Sequence, residues 1–146
     1  FDTPAGLHGA TAAVLSCVDH AIVPMQAEPL GLRTLPVTLR SLNAMRARGL
    51  GMRLIAIVAT MVQDDAVGRD VADQARRLLP KGLLTDAQIP REATMSQASA
   101  KGVPVGLLAR IPPPVSQVFD RLAAEIETRL GLLERTVDDD FRQLLV

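Results

Sequence analysis

Aromatic side chains are nearly absent from this chain. Its 146 residues include three Phe and no Trp or Tyr. A core must therefore be assembled from Leu, Val, Ile, Ala and Met. A single cysteine, Cys17, excludes an internal disulfide and fits a reducing cytosol. It lies among apolar residues and is expected to be a small buried hydrophobe. No apolar run reaches the ~18 residues of a membrane-spanning helix, so no membrane partner is expected. Net charge is zero, with sixteen basic and sixteen acidic residues. This excludes strong attraction of the whole chain to nucleic acid but not a local basic patch. No Gly-x-x-x-x-Gly-Lys-Ser/Thr phosphate loop occurs. No Ser/His/Asp or Cys/His arrangement has support. His8 and His20 lack a second ligand at metal spacing and read as structural or exposed. What the chain does have is 48% hydrophobic residues, enough for one sizeable core.

The first segment, Phe1-Asp2-Thr3-Pro4-Ala5-Gly6-Leu7, has the form of a strand end leading into a tight loop. No apolar run precedes Asp2 to build that strand, so the chain is expected to be the later part of a longer protein. Gly9 to Val18 follows as an Ala-rich helix. Ala21 to Met25 reads as a buried strand, with Pro24 where no donor is needed. Thr34 is the expected cap of the next helix, with Pro36 in its first turn. Leu35, Leu39, Leu42 and Met45 form its stripe, and Gly49 and Gly51 end it. Arg53 to Met61 is the strongest strand, a near-continuous apolar run. Asp64 or Asp65 caps a third helix, Pro80-Lys81-Gly82 breaks it, and Leu83 to Ile89 forms a further strand closed by Pro90. A short helix is expected within Arg91 to Ala100. Val115, Val118, Phe119, Leu122, Ile126, Leu130 and Leu133 give a final helical stripe in which Phe119 belongs to the core. Strands alternating with helices predict an α/β fold, a parallel sheet with helices on both faces. Residues 1–133 form the domain, and 134–146 an acidic tail.

Ligands of open α/β sheets bind at the carboxyl edge of the strands. Three segments are expected there: Asp2 to Gly6, Thr60-Met61, and Ile89-Pro90-Arg91. Asp2 is placed to hold a water on Mg²⁺, and Gly6 to bring its backbone N–H near a phosphate. Thr60 and the backbone around Pro90 lie further along, at a distance suited to a base. Between Pro29 and Gln63 there is no acidic residue, but Arg33, Arg40, Arg46, Arg48 and Arg53 occur. These are either a solvated helix face whose last-turn arginines favour the helix dipole, or a patch for phosphate backbones.

Four segments in this order resemble the ParA/MinD family of deviant Walker-A ATPases, most closely its ParA partition branch. They are Asp2-Thr3-Pro4-Ala5-Gly6, Ile22-Val23-Pro24-Met25-Gln26-Ala27-Glu28, Ala59-Thr60-Met61, and Ile89-Pro90-Arg91 with Ser99-Ala100-Lys101-Gly102-Val103-Pro104-Val105. The resemblance spans roughly residues 1–130. Ala5 stands where the family usually has a second proline. The resemblance implies a P-loop NTPase-like fold with ATP and Mg²⁺ as cofactors. Asp2 is then the Walker B acid, catalytic and metal-supporting, and Gly6 the switch glycine near the γ-phosphate. Pro4, Thr60, Met61, Pro90 and Arg91 become nucleotide-binding. Lys101, Arg40, Arg46 and Arg48 are the candidates for nonspecific DNA contact. It also implies a homodimer formed around ATP, a partition partner protein that stimulates hydrolysis, and a cytoplasmic, nucleoid-associated location in a bacterium. The family's lysine-bearing phosphate loop would precede residue 1, so these residues alone should hydrolyse nothing.

Two other readings compete. A MinD-like positioning ATPase needs a basic amphipathic C-terminal helix. Residues 134–146 instead hold Glu134, Asp138, Asp139 and Asp140 against two arginines. A non-catalytic α/β interaction module is the other. Without a phosphate-loop strand, one sheet edge is expected to be open and to invite pairing with another chain or rearrangement by strand exchange.

Overall fold

A computed structural model describes residues 1–132. The acidic tail and Leu133 lie outside the described residues. The elements run α1 (Ala10–Leu15), β1 (His20–Gln26), α2 (Pro29–Ala47), β2 (Arg53–Thr60), α3 (Ala66–Leu78), α4 (Ala93–Lys101), a 3₁₀ turn (Val105–Leu107) and α5 (Ser116–Arg129).

β1 and β2 pair in parallel, from His20 opposite Arg53 to Gln26 opposite Thr60, with an irregularity between Ala21 and Ile22. Leu54 through Ala59 are all buried. Consecutive strand residues point to opposite faces, so β2 is covered on both. β1 is not. Met25 is buried and Ala21 and Val23 are half-buried, but His20, Ile22, Pro24 and Gln26 on the other face are exposed. Only the Ala21/Val23/Met25 face is packed. The core lies between this sheet and helices α2 and α3, and includes Met25, Leu35, Leu42, Ile57, Val71 and Ala75.

The expected strand over Leu83–Ile89 is interrupted. On the side of β2 away from β1 it forms one isolated parallel bridge, Leu84 to Ile57, and past the ends of both segments Pro90 bridges to Val62. Ile57 donates to Leu83 O at 2.8 Å and Thr85 donates to Ile57 O at 2.9 Å. Pairing resumes at Ile89, which donates to Ala59 O at 2.9 Å. In between, the amides of Asp86 and Ala87 turn away to the Glu125 carboxylate of α5, each at 3.1 Å. A side chain has replaced the strand partner, which sequence periodicity cannot show.

α2 also departs from expectation. It starts at Pro29, with Glu28 as the N-cap residue, and Pro36 lies inside it. Thr34 caps nothing; its hydroxyl donates back to Gly31 O at 3.0 Å. Pro29 at the first position is pre-set for a helix start, and the interior Pro36, which removes one helical hydrogen bond, is carried by the burial of Leu32, Leu35 and Leu42 of the same helix. Its end is as expected. Gly49 takes φ +99°, and Leu50 donates to Met45 O while Gly49 donates to Arg46 O, a Schellman closure. Asp65 caps α3, accepting from Gly68 N at 2.7 Å.

Two glycines set the height of the helices above the sheet. A Cβ on Gly31 would lie 2.2 Å from Gln26 O, and one on Gly68 the same distance from Gln63 O. Both positions sit five residues past a glutamine, in Gln26-Ala27-Glu28-Pro29-Leu30-Gly31 and Gln63-Asp64-Asp65-Ala66-Val67-Gly68. The same close approach of a first-turn helix glycine to a carbonyl five residues earlier is thus used twice.

Two expectations about burial fail. Cys17 is exposed, because α1 stops at Leu15 and the chain turns outward before β1. Phe119 is 37% exposed on α5 rather than in the core. The buried positions there are Val115 and Val118, and Phe119 instead walls a groove with Met95 of α4 and Val103.

Candidate functional site at the carboxyl edge of the sheet

β1, β2 and the interrupted third segment end together. Ala27 N donates to Thr60 O at 2.8 Å, tying the exit of β1 to the last residue of β2. The Thr60 hydroxyl reaches back to Met25 O at 3.4 Å. Val62 N donates to Ile89 O at 3.0 Å and Arg91 N to Val62 O at 2.9 Å. Thr60-Met61 and Pro90-Arg91 are therefore brought side by side, as expected from topology.

Met61 is the only non-glycine residue with positive φ among the described residues, at 54°, and it is 49% exposed. The left-handed conformation costs a residue with a Cβ about 1–2 kcal/mol. It allows the chain to leave β2 at Thr60 and rejoin the third segment at Val62, with the Met61 side chain presented to solvent.

Across the edge, the Arg91 guanidinium lies 3.7 Å from the Glu28 carboxylate, which also accepts from Gln26 Nε2 at 2.9 Å. Both charged side chains are substantially exposed, so the pair contributes little stability. It does join the exit loop of β1 to that of the third segment.

Asp2 and Gly6 are placed differently from expectation. Residues 1–9 form no strand, so Asp2 ends none and is exposed. Gly6 has φ +92° with open space where a Cβ would be. The loop is anchored through Pro4, whose carbonyl accepts from the buried Thr11 hydroxyl at 3.0 Å. Among the described residues no group of three His, Cys, Asp or Glu side chains could hold a metal ion.

The basic residues do not form one stripe. Arg40 and Arg48 are exposed and Arg46 is half-buried in the last turn of α2, while Lys101 ends α4. Arg46 lies six residues from Arg40, about 240° round the helix. Arg33 faces the cleft between α2 and α3 beside Asp70.

Sequence reasoning overlooked the clip on α5. Arg129 donates to Ile55 O at 2.9 Å, Leu83 O at 3.1 Å and Leu84 O at 3.2 Å, and pairs with Glu125. The two side chains are 13% and 19% exposed. Their i, i+4 spacing is visible in the sequence, but such pairs are common on solvated helices.

A parallel α/β arrangement with a carboxyl-edge site is common to several open-sheet folds, and the match to a solved structure makes this one P-loop NTPase-like in fold. More particularly, its fold is similar to that of a McdA variant from Cyanothece in complex with ATP, with a TM-score of 0.67 and 14% identity. The match covers 88% of this chain and 48% of that one, so this chain spans about half the length of its structural relative. No family description and no curated protein matches the sequence.

Proposed function

We propose that this chain is the base-side part of a ParA-like, deviant Walker-A ATPase site. The carrying observation is the convergence of Thr60-Met61 and Pro90-Arg91 at one sheet edge, in a fold shared with an ATP-bound ParA-like protein. On this reading Thr60, Met61, Pro90 and Arg91 bind the nucleotide base, and the Pro4–Gly6 loop faces the phosphates. The phosphate loop has no counterpart in the 146 residues and comes from polypeptide outside them. Asp2 is exposed and is one carboxylate, which fits a magnesium ion held mostly by nucleotide phosphates and water. Bound magnesium would neutralise phosphate charge. The chain's own contribution is to fix the base through a backbone edge that is already hydrogen-bonded in place.

The assembled ATPase is proposed to dimerise with ATP, to bind DNA nonspecifically through Lys101, Arg40, Arg46 and Arg48, and to be released by a partner that stimulates hydrolysis, in DNA partition. Binding through phosphates weakens steeply with salt.

The test is titration of a fluorescent ATP analogue with Mg²⁺. The chain alone should bind weakly. The protein with its phosphate loop should bind tightly, and Met61→Asp should weaken that binding at least tenfold. Tight binding by the 146-residue chain alone, or indifference to Met61→Asp, would refute the assignment. DNA affinity that stays flat from low to moderate salt would refute the phosphate contacts.

A further inference from the structure

The third segment runs past the end of β2 out of step. Ile57 N donates to Leu83 O and Thr85 N donates to Ile57 O, so Leu84 stands opposite Ile57. In a regular parallel ladder the strands then advance together, and the Ala59 carbonyl would accept from Ala87 N. It accepts from Ile89 N instead, at 2.9 Å. Two residues have therefore left the ladder. Pairing from Ile89 onward would next set Pro90 opposite Met61. Pro90 stands opposite Val62, so β2 drops one residue as well, at the positive φ of Met61.

The two-residue excursion is held in place. The Glu125 carboxylate accepts from Asp86 N and from Ala87 N, each at 3.1 Å. The buried Thr85 hydroxyl donates to Ala87 O at 2.8 Å. Arg129 donates to Glu125 and to the carbonyls of Ile55, Leu83 and Leu84, which anchors the carboxylate to both strands just before the excursion begins. Ala87 is buried, so its amide needs a partner. That partner is either the Glu125 carboxylate or, in the regular ladder, Ala59 O.

The choice decides what stands at the carboxyl edge. In the regular ladder Gln88 would lie opposite Val62. Pro90 and Arg91 would then be carried two residues further out, about 6–7 Å at the rise of a strand. The excursion draws them back beside Thr60-Met61 and leaves Arg91 3.7 Å from Glu28.

We propose that Glu125, held by Arg129, is a positioning residue for the nucleotide base: it takes up two residues of the third segment and so sets Pro90-Arg91 level with Thr60-Met61. Its effect on binding rests on the nucleotide reading proposed above, whereas the register does not. Every group involved belongs to β2, the third segment or α5.

The test uses the protein with its phosphate loop. Without nucleotide, the NMR coupling across the hydrogen bond to the Ala59 carbonyl should come from the Ile89 amide in the wild type and from the Ala87 amide in Glu125→Leu. That variant should bind Mg²⁺-ATP about tenfold or more weakly than the wild type, because base sites depend on a few precisely placed groups. Its affinity for magnesium tripolyphosphate, which has no base, should be unchanged; a loss of stability alone would not separate the two ligands. Glu125→Gln keeps an acceptor oxygen and should bind ATP as the wild type does. Deleting Asp86 and Ala87 from the Glu125→Leu protein removes the excursion without moving Pro90, and should restore ATP affinity. This shortened protein decides the matter if Glu125→Leu alone does not fold. A coupling that stays with Ile89 in Glu125→Leu, ATP binding indifferent to that variant, or a shortened protein that fails to regain ATP affinity would overturn the proposal. A wild type that binds ATP no better than tripolyphosphate would overturn the nucleotide reading and with it the role at the base, while the coupling still decides the register.

Discussion

Replacing Arg129 by Met should cost this domain more than any exposed arginine would. The guanidinium serves three main-chain carbonyls, at 2.9, 3.1 and 3.2 Å, and neutralises Glu125. Met keeps much of the apolar stem, so the loss isolates the polar contacts. Breaking a buried pair from one side costs about 3–5 kcal/mol because the other charge stays behind. Here the residual exposure of both groups lets water enter, and Glu125 keeps its two amide donors, so we expect about 2–3 kcal/mol. At about 2–4 °C per kcal/mol for a domain of this size, the midpoint of thermal unfolding should fall by about 4–12 °C. Glu125→Leu removes the acceptor of the Asp86 and Ala87 amides and should cost about 2 kcal/mol. The double variant should cost less than the sum by about 1 kcal/mol, because the charge stranded in each single variant is gone. Urea unfolding of the four proteins gives the cycle. Additive costs, or an Arg129→Met cost under about 0.5 kcal/mol, would show that the clip is a surface contact and that the third segment needs no support from α5.

Gly68→Ala should destabilise by about 1–3 kcal/mol, since the new Cβ meets a main-chain carbonyl that only a backbone shift can relieve; a neutral result in urea unfolding would mean that α3 sits less firmly on Gln63. Met61→Gly should raise stability by about 1 kcal/mol by relieving the left-handed strain, read as a midpoint about 2–4 °C higher. A fall instead would show that the Met61 side chain packs on something that holds it.

Much of this architecture is legible in the residues. β2 stands out because a strand covered on both faces must be apolar throughout, and RLIAIVAT is apolar from Leu54 to Ala59. Asp65 can be read as a cap because the acid stands directly before a periodic run. The start of α2 is misplaced by sequence because Thr34 and Pro36 form a good initiation signal that Pro29 also provides, and local chemistry does not choose between them. The third segment escapes prediction for a different reason. Its residues have strand character, but a carboxylate from a helix nearly forty residues on takes the hydrogen bonds that would have continued the ladder. Cys17 and Phe119 differ from expectation because composition reports affinity for a core and not whether the core has room on that side. For the site, alternation of strands and helices is enough to bring Thr60-Met61 and Pro90-Arg91 together. It says nothing of how Asp2 lies, because no strand fixes it.

The two glycines that hold α2 and α3 against carbonyl oxygens also limit how this chain can vary. One residue inserted between Gln26 and Gly31, or between Gln63 and Gly68, would turn the following helix by about 100° and carry its apolar side off the sheet. Those two turns are therefore fixed in length as well as in residue type. The connection at the other end of the sheet, through Gly49–Gly51, carries no such contact. Insertions, tags and length changes should be tolerated there, at the end of the molecule away from the candidate site.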